Sequence, residues 1–294
     1  CIYTVNSLTY FEPYMAEQMK NRRVATIILN RNLPKVTDKL YNQLKKYNND
    51  ISDFYILESG SDKKNLSKNF TWWANDKNTK KNGLRFFRGM NYALRKLYDE
   101  NKFYKYEAFF LLTNDSEFEN KKIIKLLLKY FDTHKRLAIL SPCSKNWGER
   151  KIIPKNGIKY FWFLYDNVLF IRRKFIEEIF NLDKPGYKNF LFDGSNFRGY
   201  GLESELIAKA YSNHWGAAIT NSVWREENEN YLLNFSHVIK THNYDKNLHL
   251  YIDEGSKWMK KKYGFSSKWS MNMYVKNFYD KFFEYYPEYK NYKI

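Results

Sequence analysis

Two short acidic segments contain the strongest candidates for chemistry. The first, Asn114-Asp115-Ser116-Glu117, directly follows the apolar run 108–112. A carboxylate in a turn after a buried strand can hold a hard divalent cation, which prefers oxygen ligands and often bridges to substrate phosphates. Asp115 or Ser116 is equally suited to cap the following helix. The segment therefore predicts either a metal and diphosphate site or an ordinary helix cap.

The second segment, Gly201-Leu202-Glu203-Ser204-Glu205, ends a glycine-rich stretch and predicts a helix that begins with two acids. The helix dipole favours acids at this position even where they have no function. In the functional interpretation, Glu203 is a general base that takes a proton from an attacking hydroxyl. Because residues 203 and 205 are two apart, they do not share a helix face, and only one can face a reaction centre.

Glu58 and the histidines are weaker candidates. The segment Glu58-Ser59-Gly60-Ser61-Asp62 follows the strand-like run 54–57 and predicts either a plain turn or a contact to a base or ribose. His237 and His242 are five apart and do not line one helix face, and no cysteine pair accompanies them to support a zinc site. His237 is a candidate to complete a metal site, with surface or core packing as the competing interpretation.

The first half of the chain predicts the elements that must position these residues. Short β-branched apolar runs are typical of buried parallel strands, and helical apolar spacing separates them. Alternation of this kind indicates a parallel sheet with helices on both faces. The predicted strands are 24–29, 54–57, 108–112 and 137–140, and the predicted helices are 33–47, 89–98 and 121–131.

Three polar clusters follow the predicted strands directly. They are Asn30–Asn32, Glu58–Asp62 and Asn114–Glu117. Ligands of open α/β sheets bind beyond the carboxyl ends of the strands. The three clusters together therefore indicate a binding site more strongly than any one of them does.

The second half of the chain is less regular. It predicts an aromatic strand-like stretch, a short helix, a glycine-rich loop, the acidic helix and a further strand, and its last part is helical, basic and aromatic. These elements cover 161–171, 174–180, 192–201, 203–213, 217–223 and 250–294.

The composition narrows the class of protein. With 294 residues and 44% hydrophobic residues the chain is globular, and its apolar runs are too short to cross a bilayer. The net charge of +18 indicates an anionic partner or, since Lys, Asn, Tyr, Phe and Ile are abundant together, an AT-rich coding sequence. Nucleic-acid binding is the rival class, but no zinc-finger, RNP or basic-zipper pattern supports it. Two cysteines fit a reducing cytoplasm.

An ordered set of motifs resembles the family 2 inverting glycosyltransferases of the GT-A fold. The motifs are VATIILNRN, ILESGSD, LRFFRGMNYAL, FFLLTNDSEF, NVLFIRR, FRGYGLESELIAKAY and KKKYG, and the similarity covers roughly residues 22–265. It implies an α/β fold with a mostly parallel central sheet flanked by helices. The implied catalytic domain is 1–249, with a nucleotide-sugar half at about 22–135 and an acceptor half at 136–249. Residues 250–294 form a helical C-terminal segment.

The resemblance also implies roles for individual residues. Glu203 takes the position of the catalytic base, and Tyr200, Glu205 and Trp162 lie near the acceptor. A Mn²⁺ or Mg²⁺ ion is implied on Asp115, Glu117 and His237. The implied nucleotide-sugar contacts are Asn30, Asn32, Glu58, Arg88, Asn91, Asn114 and Asp115.

The sequence departs from the family pattern at three points. Glu58 stands where the family has Asp, Leu202 replaces the first acid of its Glu-Asp pair, and the spacing of the family's metal-binding His falls near Trp224 and Arg225. The third metal ligand is therefore open. A non-catalytic carbohydrate-binding or scaffold module of the same fold is the alternative function.

The function implied is transfer of a sugar, with inversion, from a nucleoside-diphosphate sugar to a hydroxyl of a saccharide or lipid-linked saccharide. Such an enzyme would act in the cytoplasm in bacterial polysaccharide or capsule synthesis, without nucleic acid as a partner. The basic aromatic C-terminal segment predicts either peripheral contact with an anionic membrane or a packed helical cap.

Overall fold

The computed structural model describes residues 23–164, 168–183 and 187–294. In this part of the chain nine strands form one sheet, in the order β3-β2-β1-β4-β8-β6-β9-β5 with β7 beside β9. The strands are β1 Val24–Asn30, β2 Ser52–Ser59, β3 Trp72–Ala74, β4 Ala108–Thr113, β5 Ser116–Phe118, β6 Leu137–Cys143, β7 Ile158–Tyr160, β8 Val168–Arg172 and β9 Gly216–Glu227.

Helices flank this sheet along the described chain. Those of the first half are α1 Pro34–Asn48, α2 Lys77–Asn82, α3 Arg85–Asp99 and α4 Ile123–Thr133. Those of the second half are α5 Arg173–Ile179, α6 Leu202–Ser212, α7 Asn230–Ile239, α8 Tyr244–Tyr263 and α9 Lys268–Tyr285. No helix among the described residues is both long and apolar enough to cross a membrane.

The parallel part of the sheet brings the polar strand ends together. Every residue of β1 is buried, as expected for a strand covered on both faces. β1 pairs in parallel with β2 and β4, and the register sets Asn30 beside Glu58 and Leu29 beside Thr113. The carboxyl ends of three neighbouring strands therefore meet at one edge, as the sequence predicted.

The sheet changes direction beyond β4. β8 lies between β4 and β6 and runs antiparallel to both, whereas β6 and β9 are parallel. The last residues of β9 pair with β5, and Ser116 lies opposite Glu227. This pairing places the end of β9, from the second half of the chain, beside the segment that contains Asp115.

The C-terminal helices belong to the core. Tyr279 and Phe282 of α9 are buried, and the Phe282 ring stacks on Tyr160 of β7 at 5.6 Å between centroids. α8 begins at Tyr244, so one helix spans the boundary predicted at 249/250. The packing matches the helical-cap interpretation of the segment, while the division into domains stays a prediction.

Two local predictions need correction. The predicted strand-like stretch 161–171 starts too early: β7 ends at Tyr160, residues 161–164 are not in a strand, and β8 begins at Val168. Residues 230–239, for which no element was predicted, form α7, and none of its residues is buried.

Candidate functional site

We call the polar residues at the ends of β1, β2 and β4 the donor edge (Asn30, Glu58, Asn114 and Asp115), and hydrogen bonds join the first three of them. Asn114 Nδ2 donates to Asn30 Oδ1 at 2.9 Å, and Asn30 Nδ2 donates to both Glu58 carboxylate oxygens at 3.0 Å. Parallel register explains this contact, because each side chain comes from the end of its own strand. Three of the residues predicted to bind donor are thus brought together.

Glu58 shapes the loop after β2 rather than facing solvent. It is fully buried and also accepts hydrogen bonds from Ser61 Oγ at 2.5 Å and from the Ser67 backbone N–H at 2.7 Å. These four hydrogen bonds, from three donor groups, stabilise a carboxylate in the protein interior. Glu58 therefore holds the loop between Ser61 and Ser67 against the end of β2.

Asn32 joins this loop to α7. Its backbone N–H donates to Ser61 Oγ at 3.0 Å, and its side-chain amide donates to the Val238 carbonyl at 2.8 Å. Beside it, Lys240 pairs with Asp62 at 2.5 Å. α7 and the residues that follow it therefore cover the donor edge from the second half of the chain.

Asp115 lies beyond β4 and lines three cavities of about 360, 280 and 190 Å³. Its Oδ1 is buried and accepts no hydrogen bond from any residue that the structure describes. Burial raises the pKa of this carboxyl, opposed by Thr113 and by the charge of Arg225. An unsatisfied buried carboxylate oxygen is costly, and a cation is one ligand that would satisfy it.

The 280 Å³ cavity contains charges that the sequence interpretation missed. Glu227, at the end of β9, and Glu229 line it together with Asp115 and Arg85. The predicted strand ended at residue 223, so the four further residues that carry Glu227 to the cavity were not expected. Glu227 lies 24 positions after Glu203, close to the spacing at which the family's metal-binding His was sought.

Two further carboxylates line cavities together with Asp115, each on a different cavity. Glu117 lines the 360 Å³ cavity with Asp115 and receives a hydrogen bond from Asn228 at 2.9 Å, and Glu227 lines the 280 Å³ cavity. His237 is exposed on α7 and lines none of the cavities that contain Asp115. Among the described residues no three His, Cys, Asp or Glu side chains form a metal-sized group. His237 is therefore not assembled with Asp115.

Arg85 and Arg31 surround the 190 Å³ cavity beside Asp115. The Nε atoms of both guanidinium groups are buried and donate to no described residue. Burial lowers the pKa of Arg85 to about 10, and repulsion from Arg198 and Arg31 adds to this. Arg85 also has φ of 59°, a left-handed conformation that non-glycine residues rarely adopt.

Glu203 lies at the start of α6, where the sequence placed it, but it does not face these cavities. Its side chain is 1% exposed and forms an ion pair with Lys268 of α9. Gly201, at φ of 92°, makes the left-handed turn that begins α6, and a Cβ there would lie 2.9 Å from Met259 Sδ. In this conformation Glu203 and Asp115 do not share a cavity wall, so a base role requires Lys268 to move away.

The Glu205 carboxylate is likewise paired with cations. It is 3% exposed, pairs with Lys262 at 2.7 Å and with Lys209 at 3.6 Å, and accepts a hydrogen bond from Tyr263. Burial opposes the charged form of Lys262, but its hydrogen bonds to Asp193 and Glu205 outweigh this effect and raise its pKa. Glu205 therefore fixes the end of α8 against α6 and presents no free carboxylate to an acceptor.

Arg88 and Asn91 of α3 do not reach the donor edge. Asn91 is fully buried, and its side-chain amide makes hydrogen bonds of 2.7 to 3.1 Å with the backbone of Tyr187, Leu191 and Phe192. Arg88 Nε donates to the Gly194 carbonyl at 2.6 Å. Both side chains hold the loop 187–194, because the outward face of α3 points there and not toward β1.

Tyr200 and Trp162 pack against the C-terminal helices. The Tyr200 ring meets Tyr251 at 5.0 Å, and Lys268 Nζ lies 5.1 Å from it. The Trp162 ring meets Tyr279 at 5.1 Å and lies under Lys276 Nζ. Both rings are half-buried, and their role in binding an acceptor stays a prediction.

No known family model and no curated protein matches the sequence. Among solved structures, the chain resembles GalNAc-T7 with UDP, GalNAc and Mn²⁺, with a TM-score of 0.53 and 11% identity over 92% of this chain and 58% of that one. It also resembles the mannosyltransferase PcManGT from Pyrobaculum calidifontis in complex with GDP-Man and Mn²⁺, with a TM-score of 0.45 and 11% identity over 72% and 61% of the two chains.

A third similar structure is glucosyl-3-phosphoglycerate synthase from Mycobacterium tuberculosis in complex with Mn²⁺, UDP and phosphoglyceric acid, with a TM-score of 0.49 and 10% identity over 83% and 80% of the two chains. The chain spans less than two thirds of GalNAc-T7 and of PcManGT. At these identities the similarity concerns the fold. The predicted fold class is confirmed: the chain has the mixed α/β fold of GT-A glycosyltransferases, with a mostly parallel sheet flanked by helices.

Proposed function

We propose that the chain is a glycosyltransferase that uses a nucleoside-diphosphate sugar and transfers the sugar with inversion to a hydroxyl acceptor. The observation that carries this proposal is the buried, unsatisfied Asp115 Oδ1 beside three cavities at the carboxyl edge of the sheet. Ligands of open α/β sheets bind at this edge. The fold, shared with GalNAc-T7, supports the same reaction class.

The donor edge would bind the nucleotide. Asn114 and the loop held by Glu58 lie at the entrance to the cavities, and Arg85 and Arg31 supply positive charge beside Asp115. Asp115, with Glu117 or Glu227, would hold a Mn²⁺ or Mg²⁺ ion. When bound, such an ion neutralises the charge that develops on a diphosphate leaving group.

The acceptor hydroxyl must lose a proton as it attacks the anomeric carbon. We assign this proton to Glu203 in a second conformation, in which Lys268 has left the carboxylate. Lys268 is the first residue of α9 and directly follows the connection 264–267, which Gly264 begins with a left-handed φ of 78°. Movement of this connection is the change that would expose the base.

The acceptor would be a saccharide or a lipid-linked saccharide, consistent with polysaccharide or capsule synthesis on the cytoplasmic side of a bacterial membrane. The exposed rings of Trp269 and Tyr274 on α9, 71% and 51% exposed, support peripheral membrane contact. Trp and Tyr favour the boundary between headgroups and acyl chains.

A non-catalytic carbohydrate-binding member of the same fold is the second candidate. The closed Glu203–Lys268 pair favours it, because a buried, neutralised carboxylate takes no proton from a substrate. This candidate shares the donor-site geometry and differs only in turnover.

The test is thermal unfolding with UDP or GDP, each with and without Mn²⁺. A ligand that binds only the folded state raises the melting temperature. We expect a Mn²⁺-dependent rise in the wild type that Asp115→Asn abolishes, and hydrolysis or transfer of the matching nucleotide sugar. A metal-dependent rise without turnover supports the non-catalytic candidate, and a rise with oligonucleotides alone contradicts both.

A further inference from the structure

A second cavity, which we call the loop cavity, lies away from Asp115. It has a volume of about 680 Å³ and is lined by residues of α3, the loop 187–195, α6 and α8. Arg85, beside Asp115, and Arg88, in the loop cavity, lie 5.5 and 4.8 Å from the ring of the same residue, Phe197.

The uncharged part of the loop cavity is suited to hydroxyl groups. Its wall includes three side-chain amides, Asn78, Asn181 and Asn189, and the ring of Tyr187, which is half-buried. Amides supply both donors and acceptors, as sugar hydroxyls require. The volume is within the range of about 300–1,000 Å³ that small-molecule sites occupy.

The charges of the loop cavity are unbalanced. Four cations line it, Arg88, Lys188, Lys209 and Lys262, with Asp193 as the one acid among its lining residues. Lys262 pairs with Asp193 at 2.6 Å and with the buried Glu205 behind it, and Lys209 also approaches Glu205. Within the described chain, no carboxylate pairs with the remaining two cations, Arg88 and Lys188. The cavity wall therefore has a net positive charge, which comes from Arg88 and Lys188.

Arg88 is held in one geometry. Its Nε is fixed on the Gly194 carbonyl at 2.6 Å, and its guanidinium lies near the rings of Phe197 and Tyr187, 4.8 and 5.6 Å from their centroids. Burial leaves the guanidinium cation incompletely solvated and thereby lowers its pKa. A fixed guanidinium recognises the planar oxygens of a carboxylate, or those of a phosphate, through two parallel hydrogen bonds.

We propose that the loop cavity is an acceptor subsite for an acidic saccharide, whose carboxylate or phosphate binds Arg88 and whose hydroxyls bind the amides of the wall. The inference rests on the proposed function, since it names the acceptor class for the same enzyme.

The experiment is calorimetric titration of the whole chain without nucleotide. The probes are tetragalacturonate for carboxylate, glucose 6-phosphate for phosphate, and maltotetraose as the neutral saccharide. We expect at least one acidic probe to bind about tenfold or more tightly than maltotetraose, and Arg88→Gln to weaken it about tenfold. Arg88→Lys, which keeps the charge but loses the second hydrogen bond, should recover part of the affinity.

Two further variants keep the test decisive if Arg88→Gln does not fold. Lys188 is exposed on the same wall, so Lys188→Gln should fold normally and weaken the acidic probe about threefold. The matched control is Lys125→Gln, which removes an exposed charge on α4 and should change nothing. Equal weakening by Lys125→Gln would show general attraction to a basic protein and overturn the proposal.

The proposal also fails if neither acid binds more tightly than maltotetraose. Its failure is separable from that of the proposed function, because Asp115→Asn should abolish the Mn²⁺-dependent nucleotide effect and leave acidic-saccharide binding unchanged. Saccharide binding without any nucleotide binding would support the subsite and contradict the transferase function. Nucleotide binding without saccharide binding would support the transferase function and contradict the subsite.

Discussion

The donor edge and the start of α6 both contain buried carboxylates, but the protein satisfies them differently. At the donor edge, Glu58 is satisfied by neutral donors and Asp115 keeps one oxygen without a hydrogen bond from the described residues. At the start of α6, Glu203 and Glu205 are neutralised by Lys268 and Lys262 from the C-terminal helices. In the first region a carboxylate oxygen has no hydrogen-bond partner among the described residues, whereas in the second region lysines of the same chain neutralise both carboxylates.

The difference indicates where binding and chemistry are separated. The cation site that we propose in the first region needs no ion pair to open, whereas any proton transfer in the second region requires one to open. Nucleotide binding should therefore be insensitive to changes at α6, and turnover should depend on both regions. Each prediction below tests one side of this comparison.

The largest expected effect is on turnover. If Glu203 is the base, Glu203→Gln should lower turnover about a hundredfold or more while the affinity for nucleotide with Mn²⁺ changes less than about twofold. Glu205→Gln, at the neighbouring closed acid, is the matched control and should leave turnover per folded molecule within a few-fold. Steady-state kinetics and calorimetry measure both. Unchanged turnover in Glu203→Gln would show that Glu203 is not the general base.

The second effect is on stability. Lys268→Met leaves the Glu203 carboxylate buried without its cation, which should lower the free energy of unfolding by roughly 3 kcal/mol. The double variant with Glu203→Gln should recover most of this loss. Lys257→Met is the control, because Lys257 and Asp253 form an exposed pair worth about 0–1 kcal/mol. Urea unfolding distinguishes these outcomes, and equal losses for the two lysines would show that the Glu203 pair is not buried.

A third, smaller effect concerns the donor edge. Glu58→Gln replaces an acceptor oxygen by an NH₂ group that faces the donors Asn30 Nδ2 and Ser67 N–H. The resulting unsatisfied groups should cost about 2 kcal/mol of unfolding free energy and weaken nucleotide binding through the loop. Glu284→Gln, exposed on α9, serves as control in the same denaturation series. A Glu58→Gln protein as stable as wild type would mean that this carboxylate does not organise the loop.

The donor edge could be predicted from the sequence because its causes are local. The runs 24–29, 54–57 and 108–112 are apolar and β-branched or aromatic, so they predict parallel strands. Parallel strands bring their carboxyl ends together, and the residues that follow them meet. Asn30, Glu58 and Asn114 were identified in this way.

The rest of the site depends on partners that are distant in sequence. Lys268 meets Glu203 across 65 positions, and Glu227 reaches the Asp115 cavity only because β9 pairs with β5 beyond its predicted end. Asn91 faces the loop 187–192 because of the rotation of α3, which apolar spacing does not fix. Such contacts follow from tertiary packing, so residue types and spacing could not indicate them.

The smallest expected effect is the pH dependence of metal binding at the donor edge. Burial raises the pKa of Asp115 above the ordinary carboxyl value of about 4, and a cation must displace any proton from the carboxylate. Affinity for Mn²⁺ in the presence of UDP or GDP should therefore rise with pH through a range above pH 4 and then level off, in calorimetric titrations between pH 5 and pH 7.5. Asp115→Asn should remove the dependence together with the binding. His237→Gln should leave the profile unchanged, since His237 lies outside the cavities; a profile that flattens in this variant would restore histidine as the third ligand and require α7 to close further on Asp115.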